Sequence, residues 1–552
     1  MSTGDDAEAV RDGGSSDLAS SLLKEVGHFS KYQFRTMALC CLSVIIIGMA
    51  ISEYLFTIAR INTRCLIPEC ESESTPAEYA PDWILTAVPG DSVDSFDNCQ
   101  RYAPRNYTWN ETVCSADLFD SSIIQDCDQH VYENQLTVVY DFDLGCDEWR
   151  RTMSGFLRTC GMLVGMPLTG YISDRWGRRT AMGFNAFNAF WIGLSRYWAS
   201  NYIWFVAVQV VESMLACGLF TSAYILVMEL VGPKYRTISG AILLTAWAVS
   251  QMTLGLVAWV FKHWRVLTLA IYIPQIITLV YLWAISESIR WYITKGRFTK
   301  AEEVLIKAAK VNGKTLSDKS REALRLAGEK FRRGSTGNTE KEDDSWLIVQ
   351  VFKNKPMLLR CIVSPICWMS TNLVYYGLSI NAVNMAGNSY LNYVAVSAAD
   401  IPGFWLSVFL MQKTGRKTVL IGGFWVCAAC MVAFIFVPSH MYGLSLTVYL
   451  LGKSSISLVL IANYVFTAEL YPTKYRHNLF AFSSTIGRLG NIAAPLIPAI
   501  EAATFEDLPI ILFGGFALLS GLLIFMIPET RGTKLPDTME EACAIGTKQN
   551  KI

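Results

Sequence analysis

Twelve runs of predominantly apolar residues punctuate the chain, at roughly 36–59, 152–172, 180–198, 203–229, 238–261, 264–285, 358–382, 390–411, 418–437, 443–469, 478–499 and 508–528. A helix of about 20 residues crosses the hydrocarbon core of a bilayer, so each run predicts one membrane helix. The runs fall six and six around a polar insert, and a longer polar stretch separates the first run from the second. The predicted fold is therefore an all-α membrane protein of twelve transmembrane helices in two six-helix halves. Its divisions are a polar amino terminus (1–35), helix 1 (36–59), a loop (60–148), helices 2–6 (149–285), the insert (286–356), helices 7–12 (357–528) and a tail (529–552).

The ends of these runs repeat. Gly177-Arg178-Arg179-Thr180 recurs as Gly415-Arg416-Lys417-Thr418, an offset of 238 residues. Glu229-Leu230 with Pro233-Lys234-Tyr235-Arg236 recurs, offset by 240, as Glu469-Leu470 with Pro472-Thr473-Lys474-Tyr475-Arg476. Ser286-Glu287-Ser288-Ile289-Arg290 recurs, offset by 242, as Pro528-Glu529-Thr530-Arg531. Near-constant spacing between boundary motifs reads as one ancestral half written twice, and two similar membrane halves predict a transporter.

Composition agrees: 52% hydrophobic and 17% charged residues are too greasy for a soluble chain of 552 residues. The insert 286–356 carries 16 Lys/Arg against 10 Asp/Glu, whereas 60–148 carries 4 against 18. By the positive-inside bias the insert and both termini are cytosolic and the loop is outside. The first 35 residues lack the apolar core of a cleavable signal peptide. A net formal charge of zero argues against a nucleic-acid partner. Six cysteines in the loop, Cys65, Cys70, Cys99, Cys114, Cys127 and Cys146, predict three disulfides, with all 15 pairings open. Their spacing lacks the paired motif of a zinc site, so no metal is expected. Asn106 and Asn110 begin glycosylation acceptors in the same loop.

Gly170-Tyr-Ile-Ser-Asp174-Arg175-Trp-Gly177-Arg178-Arg179 closes the second run with a glycine turn and fixed charged company. That motif resembles the signature of the major facilitator superfamily. Together with Met228-Glu-Leu-Val-Gly-Pro-Lys-Tyr-Arg236, Ser286-Glu-Ser-Ile-Arg-Trp291, Ala468-Glu-Leu-Tyr-Pro-Thr-Lys-Tyr-Arg476 and Ile527-Pro-Glu-Thr-Arg-Gly-Thr-Lys-Leu-Pro-Asp537, it resembles solute carrier family 22, the organic cation, carnitine and organic anion transporters. The likeness covers nearly the whole chain. Two departures stand out: Ser286 and Ile289 replace family prolines, and Gln412-Lys-Thr-Gly415 lacks the acid that Asp174 supplies in the first half. The resemblance implies a cytosolic gating network of Asp174, Arg175, Arg178, Arg179, Glu229, Arg236, Glu287 and Arg290, with Glu469, Arg476 and Glu529 as second-half counterparts.

Ionisable side chains at membrane depth mark substrate or ion paths by default. Arg488 and Asp400 each lie about 15 Å into their helices, Glu212 about 13 Å, and Glu53 nearer the outer end of the first. Arg158 and Lys453 read as vestibule or helix-pairing residues. The family likeness sharpens Arg488, since the position seven before Pro495 is acidic in the cation branch and Arg in the carnitine and anion branches. A guanidinium suits a carboxylate. The anion branch also places a lysine where this chain has Phe404, which favours a molecule of both signs. Glu212, Asp400 and Glu53 are the acids available for its ammonium end.

Aromatic faces attract ammonium groups and accept apolar bodies. Tyr375 and Tyr376 match a family motif, and Tyr224, Phe220, Trp247 and Trp368 fall on helices that line the family's cavity; Gln251 and Asn381 add polar contacts. No Walker loop, zinc-protease or nucleophile-elbow motif occurs, so neither an enzyme nor a cofactor is expected, and a coupling ion, Na+ or H+, stays open. Ser335 follows Arg332 and Arg333 in a weak kinase motif. The expectation is a monomeric, alternating-access carrier in the plasma membrane, contacting lipid and small organic ions. Its cargo is expected to be zwitterions or amines of the carnitine, betaine or amino-acid-derivative kind, such as beta-alanine or carcinine-like compounds. The alternatives are a cation carrier in which Asp400 neutralises Arg488, an organic anion exchanger, and a non-transporting receptor or scaffold.

Overall fold

The computed structural model describes residues 15–545 apart from 28, 72–76, 93–94, 106–113, 233–234, 335–350, 386, 439, 473–474, 506, 534–535 and 537–538. Asn106, Asn110 and Ser335 lie outside the described residues. Helices stand at all twelve predicted positions. In the first half they are α2 (Lys31–Ser52, continued by Tyr54–Thr57), α3 (Glu148–Trp176), α4 (Arg178–Ser195), α5 (Tyr202–Ala216) with α6 (Leu219–Leu230), α7 (Arg236–Val260) and α8 (Trp264–Tyr272) with α9 (Gln275–Tyr281). Before them runs α1 (Ser15–Val26), and after them α10 (Ile289–Thr294), α11 (Phe298–Val311) and α12 (Asp318–Gly334). The second half comprises α13 (Lys355–Asn381), α14 (Ser389–Ala398) with α15 (Asp400–Lys413), α16 (Arg416–Ile435), α17 (Tyr442–Leu470), α18 (Arg476–Ala493) with α19 (Ile497–Ala502), and α20 (Leu508–Ile524); α21 (Met539–Ala544) follows. Among the described residues, eight of the twelve positions are long and apolar enough to cross a membrane by length and composition, and α20 is a shorter apolar helix.

The helix breaks have local causes. Between α5 and α6 the Gly218 N–H donates to Asn185 Oδ1 at 2.9 Å, and Thr169 crowds its α-carbon so closely that a Cβ would collide. Pro274, which has no N–H to donate, separates α8 from α9, and Pro495 and Pro498 bend α18 into α19.

The 60–148 loop forms one face of the molecule, here the loop face. Its strands are β1 (Thr63–Cys65), β2 (Gly90–Ser92), β3 (Ser95–Phe96), β4 (Gln100–Pro104), β5 (Phe119–Asp126) and β6 (His130–Tyr132). They pair antiparallel as β1 with β6, β2 with β3 and β4 with β5, so the otherwise α-helical fold carries a small β module. Of the 15 pairings open to the cysteines, the structure holds Cys65–Cys127, Cys70–Cys114 and Cys99–Cys146.

On the opposite face, where the repeated motifs lie, α1 buries Leu22, Leu23 and Val26 against Ile289, Ile293 and Leu305 of α10 and α11. The Asn312 amide ties this docking to α2, accepting from the Tyr32 N–H at 2.8 Å and donating to the Val26 carbonyl at 3.0 Å. Glu25 accepts the Ser317 N–H at 2.6 Å and the Ser320 hydroxyl. Burial pushes the Glu25 carboxyl up, but these two hydrogen bonds outweigh it and hold the group below its usual value. In the second half the buried Arg360 donates to the Ala542 carbonyl at 2.6 Å, fastening α21 beneath α13.

The halves meet near the loop face. Tyr393 on α14 donates its hydroxyl to Gln251 Oε1 on α7 at 2.6 Å, and a side-chain hydrogen bond also links it to Ser52. Phe56 lies edge-on to Tyr393 and stacked on Tyr390, with ring centroids 5.1 and 5.5 Å away. Gly155 of α3 lies close against Tyr54 and Pro495, and a Cβ on Gly255 of α7 would press into Val394 and Tyr393. No salt bridge among the described residues joins the halves.

Candidate functional site

The motif face shows the repeat at atomic detail. In the first half Glu287 accepts the N–H of Arg178 at 2.9 Å and of Arg179 at 3.0 Å, satisfying donors that the first turn of α4 leaves over. In the second half Glu529 accepts the N–H of Arg416 and of Lys417, both at 3.0 Å, at the start of α16. The Arg178 guanidinium pairs with Glu229 at 3.0 Å, as Arg416 pairs with Glu469 at 2.9 Å. Gly177 and Gly415 hold φ of 109° and 111°, a conformation suited to glycine, and a Cβ at either would run into the Glu287 or Glu529 carboxylate. Asp174 adds a 2.8 Å bond to Arg178 that has no second-half counterpart, as Gln412 foretells.

The remaining gate candidates sit around these clamps. Arg290 donates to the Glu229 carbonyl at 3.2 Å and Arg476 to the Tyr471 carbonyl at 3.3 Å; Arg175 is exposed, and Arg236 keeps its Nε buried without a partner. Burial raises the Glu287 carboxyl above its usual value, against the pull of the Ser288, Arg178 and Arg179 N–H groups. These hydrogen bonds and ion pairs each stay within one half. They brace each half as a unit.

The deep charges sort into two closed clusters. In the first half Arg196, at the end of α4, reaches Glu53 at 2.7 Å and Glu212 at 3.0 Å, with its guanidinium 4.8 Å above the Tyr272 ring. Tyr272 donates to Glu212 at 2.8 Å, and Thr268 to Glu53 at 2.8 Å. Arg158 lies beside them, bonded to the Ala50 carbonyl at 3.4 Å with its guanidinium 5.2 Å from the Tyr54 ring. In the second half Asp400 lies 3.5 Å from Lys453 and accepts Tyr375 at 2.8 Å and Ser457 at 2.5 Å. Glu53, Arg196, Glu212, Asp400 and Lys453 are each at most 3% exposed. Asp400 is thus neutralised by Lys453 and not by Arg488, which corrects the pairing that the cation-carrier alternative assumed. Glu212 and Glu53, taken as free acids for an ammonium, both serve Arg196.

Arg488 is the exception. It lies half-buried on α18, and among the described residues it has no ion pair or hydrogen bond. Its charge acts on Tyr376 of α13, Tyr464 of α17 and Cys217 of the α5–α6 break, which places it where the halves face each other. Counting Arg158, Arg196, Lys453 and Arg488 against Glu53, Glu212 and Asp400, one positive charge is left over at depth, and Arg488 carries it. Trp368 packs edge-on against Tyr464 at 4.6 Å and Phe480 at 5.7 Å, holding Thr467 through its indole N–H. In the first half Phe220 packs on Tyr224 and Trp247, and Tyr224 comes within electrostatic reach of Tyr464.

The structure therefore brings together Arg488, Tyr376, Tyr224, Phe220, Trp247 and Trp368. Tyr375 turns its hydroxyl to Asp400, Gln251 joins the halves nearer the loop face, and Asn381 is hydrogen-bonded to Tyr449. Sequence reading missed Arg196, Tyr272, Tyr464, Phe480 and Cys217. Arg196 carried a usable signal, a charge inside the predicted run 180–198; the aromatics carried none, since period alone cannot tell a cavity face from a lipid face.

Residues 130–541 match the family model described as sugar (and other) transporter. The chain is 27% identical over 539 residues to solute carrier family 22 member 7 of Mus musculus, covering 96% of this chain and 97% of that protein. It is 28% identical over 532 residues to the organic cation transporter protein of Drosophila melanogaster, covering 96% and 95%. Solute carrier family 22 member 6-A of Xenopus laevis is 27% identical over 531 residues, covering 95% and 93%. Among solved structures, the inward-open conformation of the xylose transporter XylE from E. coli shares the fold at a TM-score of 0.61, with 15% identity over 93% of this chain and 100% of that one.

Proposed function

Because the chain belongs to the sugar (and other) transporter family, a family of major facilitator membrane transporters and not of enzymes, we propose that it carries organic ions bearing a carboxylate, held at Arg488. It is a multi-pass membrane transporter of organic ions. The observation that carries the carboxylate reading is the Arg488 guanidinium, which has no ion pair or hydrogen bond among the described residues. Every acid identified at membrane depth already meets a cation, with Glu53 and Glu212 sharing Arg196 and Asp400 meeting Lys453. A site whose uncompensated charge is positive recruits anions, and a planar fork of donors matches a carboxylate. Tyr376, Tyr464 and Tyr224 supply ring faces and hydroxyls for the rest of the molecule.

Zwitterions of the carnitine kind form a second reading, favoured by those tyrosine rings, which attract a quaternary ammonium without needing a free acid. One relative is named for organic cations, and the leftover positive charge opposes that cargo here. The cycle is alternating access in the plasma membrane, with both termini and the basic insert in the cytosol, as the charge bias supports. The motif-face clamps keep each half rigid while the halves rock about Arg488. The convergence at the loop face corresponds to a cytosol-facing state.

Uptake of radiolabelled benzoate, carnitine and benzyltrimethylammonium by cells expressing matched surface amounts of the wild type and Arg488→Gln tests this. Loss of at least tenfold in benzoate and carnitine uptake with the cation unchanged or improved is expected. An equal loss for all three, or none, refutes the carboxylate anchor.

A further inference from the structure

Tyr375 and Tyr376 are consecutive on α13 yet meet different surroundings. Tyr375 is 3% exposed and gripped on three sides. Its hydroxyl donates to Asp400 at 2.8 Å, its carbonyl accepts the Lys453 ammonium at 2.8 Å, and that same ammonium lies 3.4 Å from its ring centroid. Lys453 also donates to Ser379, one turn further along α13, at 2.8 Å. Asp400 in turn is fixed by Ser457 of α17 at 2.5 Å. Tyr376 lies edge-on to Tyr375, with ring centroids 5.1 Å apart, and within electrostatic reach of Arg488 and Tyr464.

Successive side chains on a helix leave the axis about 100° apart, so fixing one direction fixes the next. We propose that Asp400 and Lys453 are positioning residues: by clamping Tyr375 they set the rotation of α13 that presents Tyr376 to Arg488. The inference rests on the Arg488 reading for what binds there. Its own content is the orientation of residue 376, which is measurable without any substrate.

Three side-chain types are needed for such a clamp and all are present. A carboxylate takes the phenol hydroxyl, an ammonium bridges to backbone and ring, and mutual neutralisation lets both stay buried. A pair kept only for stability would be replaceable by apolar residues of similar volume with no effect on Tyr376, because buried ion pairs are often no better than such residues for folding.

The test introduces Y376C into the full-length chain and follows the reaction of the new thiol with a sulfonated, negatively charged thiol reagent, using mass spectrometry to separate this thiol from the native ones. Four chains are compared: Y376C alone, and Y376C with D400L/K453M, with Y375F, or with K453R. Labelling of Y376C alone, a fall of at least tenfold in D400L/K453M, a smaller fall in Y375F and a rate within twofold of Y376C in K453R are expected. Thermal stability and monodispersity of D400L/K453M, measured on the same samples, keep misfolding from passing as support. An unchanged rate in a folded D400L/K453M chain overturns the proposal, as does a Y376C chain whose new thiol never reacts. Failure of the Arg488 reading shows elsewhere, as wild-type benzoate selectivity in Arg488→Gln.

Discussion

Replacing Glu212 separates a ligand from a strut. Its carboxylate accepts Tyr272 at 2.8 Å and lies 3.0 Å from Arg196, which Glu53 holds from the other side at 2.7 Å. Glu212→Gln keeps the shape and removes one charge-assisted partner, for a cost of about 1.5–3 kcal/mol. Arg196→Met is worse, because it strands two buried carboxylates without their shared cation, a loss of about 3–5 kcal/mol or more. The expected order of thermal stability in purified protein is wild type, then Glu212→Gln, then Arg196→Met, read by fluorescence-detected size exclusion after heating. Surface abundance should fall in the same order. Uptake per surface molecule in Glu212→Gln should keep an apparent KM within about twofold, since a buried strut makes no contact with cargo. A Glu212→Gln chain of wild-type stability with an altered cation-to-anion preference refutes this reasoning and returns Glu212 to the binding site.

Three further outcomes follow from the same contacts. Tyr393→Phe removes the Tyr393–Gln251 hydrogen bond between the halves, worth about 0.5–1.5 kcal/mol, so spin-label distances across the loop face should show the open population rising about 2- to 13-fold; an unchanged distribution removes Tyr393 as a latch. Gly177→Ala and Gly415→Ala each force a side chain into a glycine conformation and against a carboxylate, at a cost of about 1–3 kcal/mol, and should lower turnover alike because the clamps match; only one half responding breaks the functional symmetry. The Glu25 carboxyl sits below its usual value of 4.5, so its contribution to docking α1 is full above that pH and is lost as pH falls through the lowered value. Hydrogen exchange of residues 15–26 should therefore accelerate beyond the intrinsic pH trend only under acid, and Glu25→Gln should abolish that step.

Much of the fold was legible because its determinants are local. Runs of about 20 apolar residues can satisfy their backbone in a membrane only as helices, and helices stand at all twelve predicted positions. The repeated boundary motifs returned as matching clamps, since each is built from residues at helix ends whose backbone donors and charges dictate their partners. The missing acid at Gln412 was equally readable, and the second clamp lacks that contact. The loop cysteines were legible as a set and not as pairs, because pairing depends on how β1, β4 and β5 fold together.

The candidate site divides along the same line. Sequence alone determined that charges lie at depth and that Arg488 is among them. It did not determine which charges neutralise each other: Arg196 meets Glu53 across more than 140 residues, and Lys453 meets Asp400 across more than 50. Hydropathy fixes where a helix lies and leaves its rotation and its neighbours free. Those are set by packing, which in this protein pairs every deep acid inside its own half and leaves Arg488 with no ion pair among the described residues.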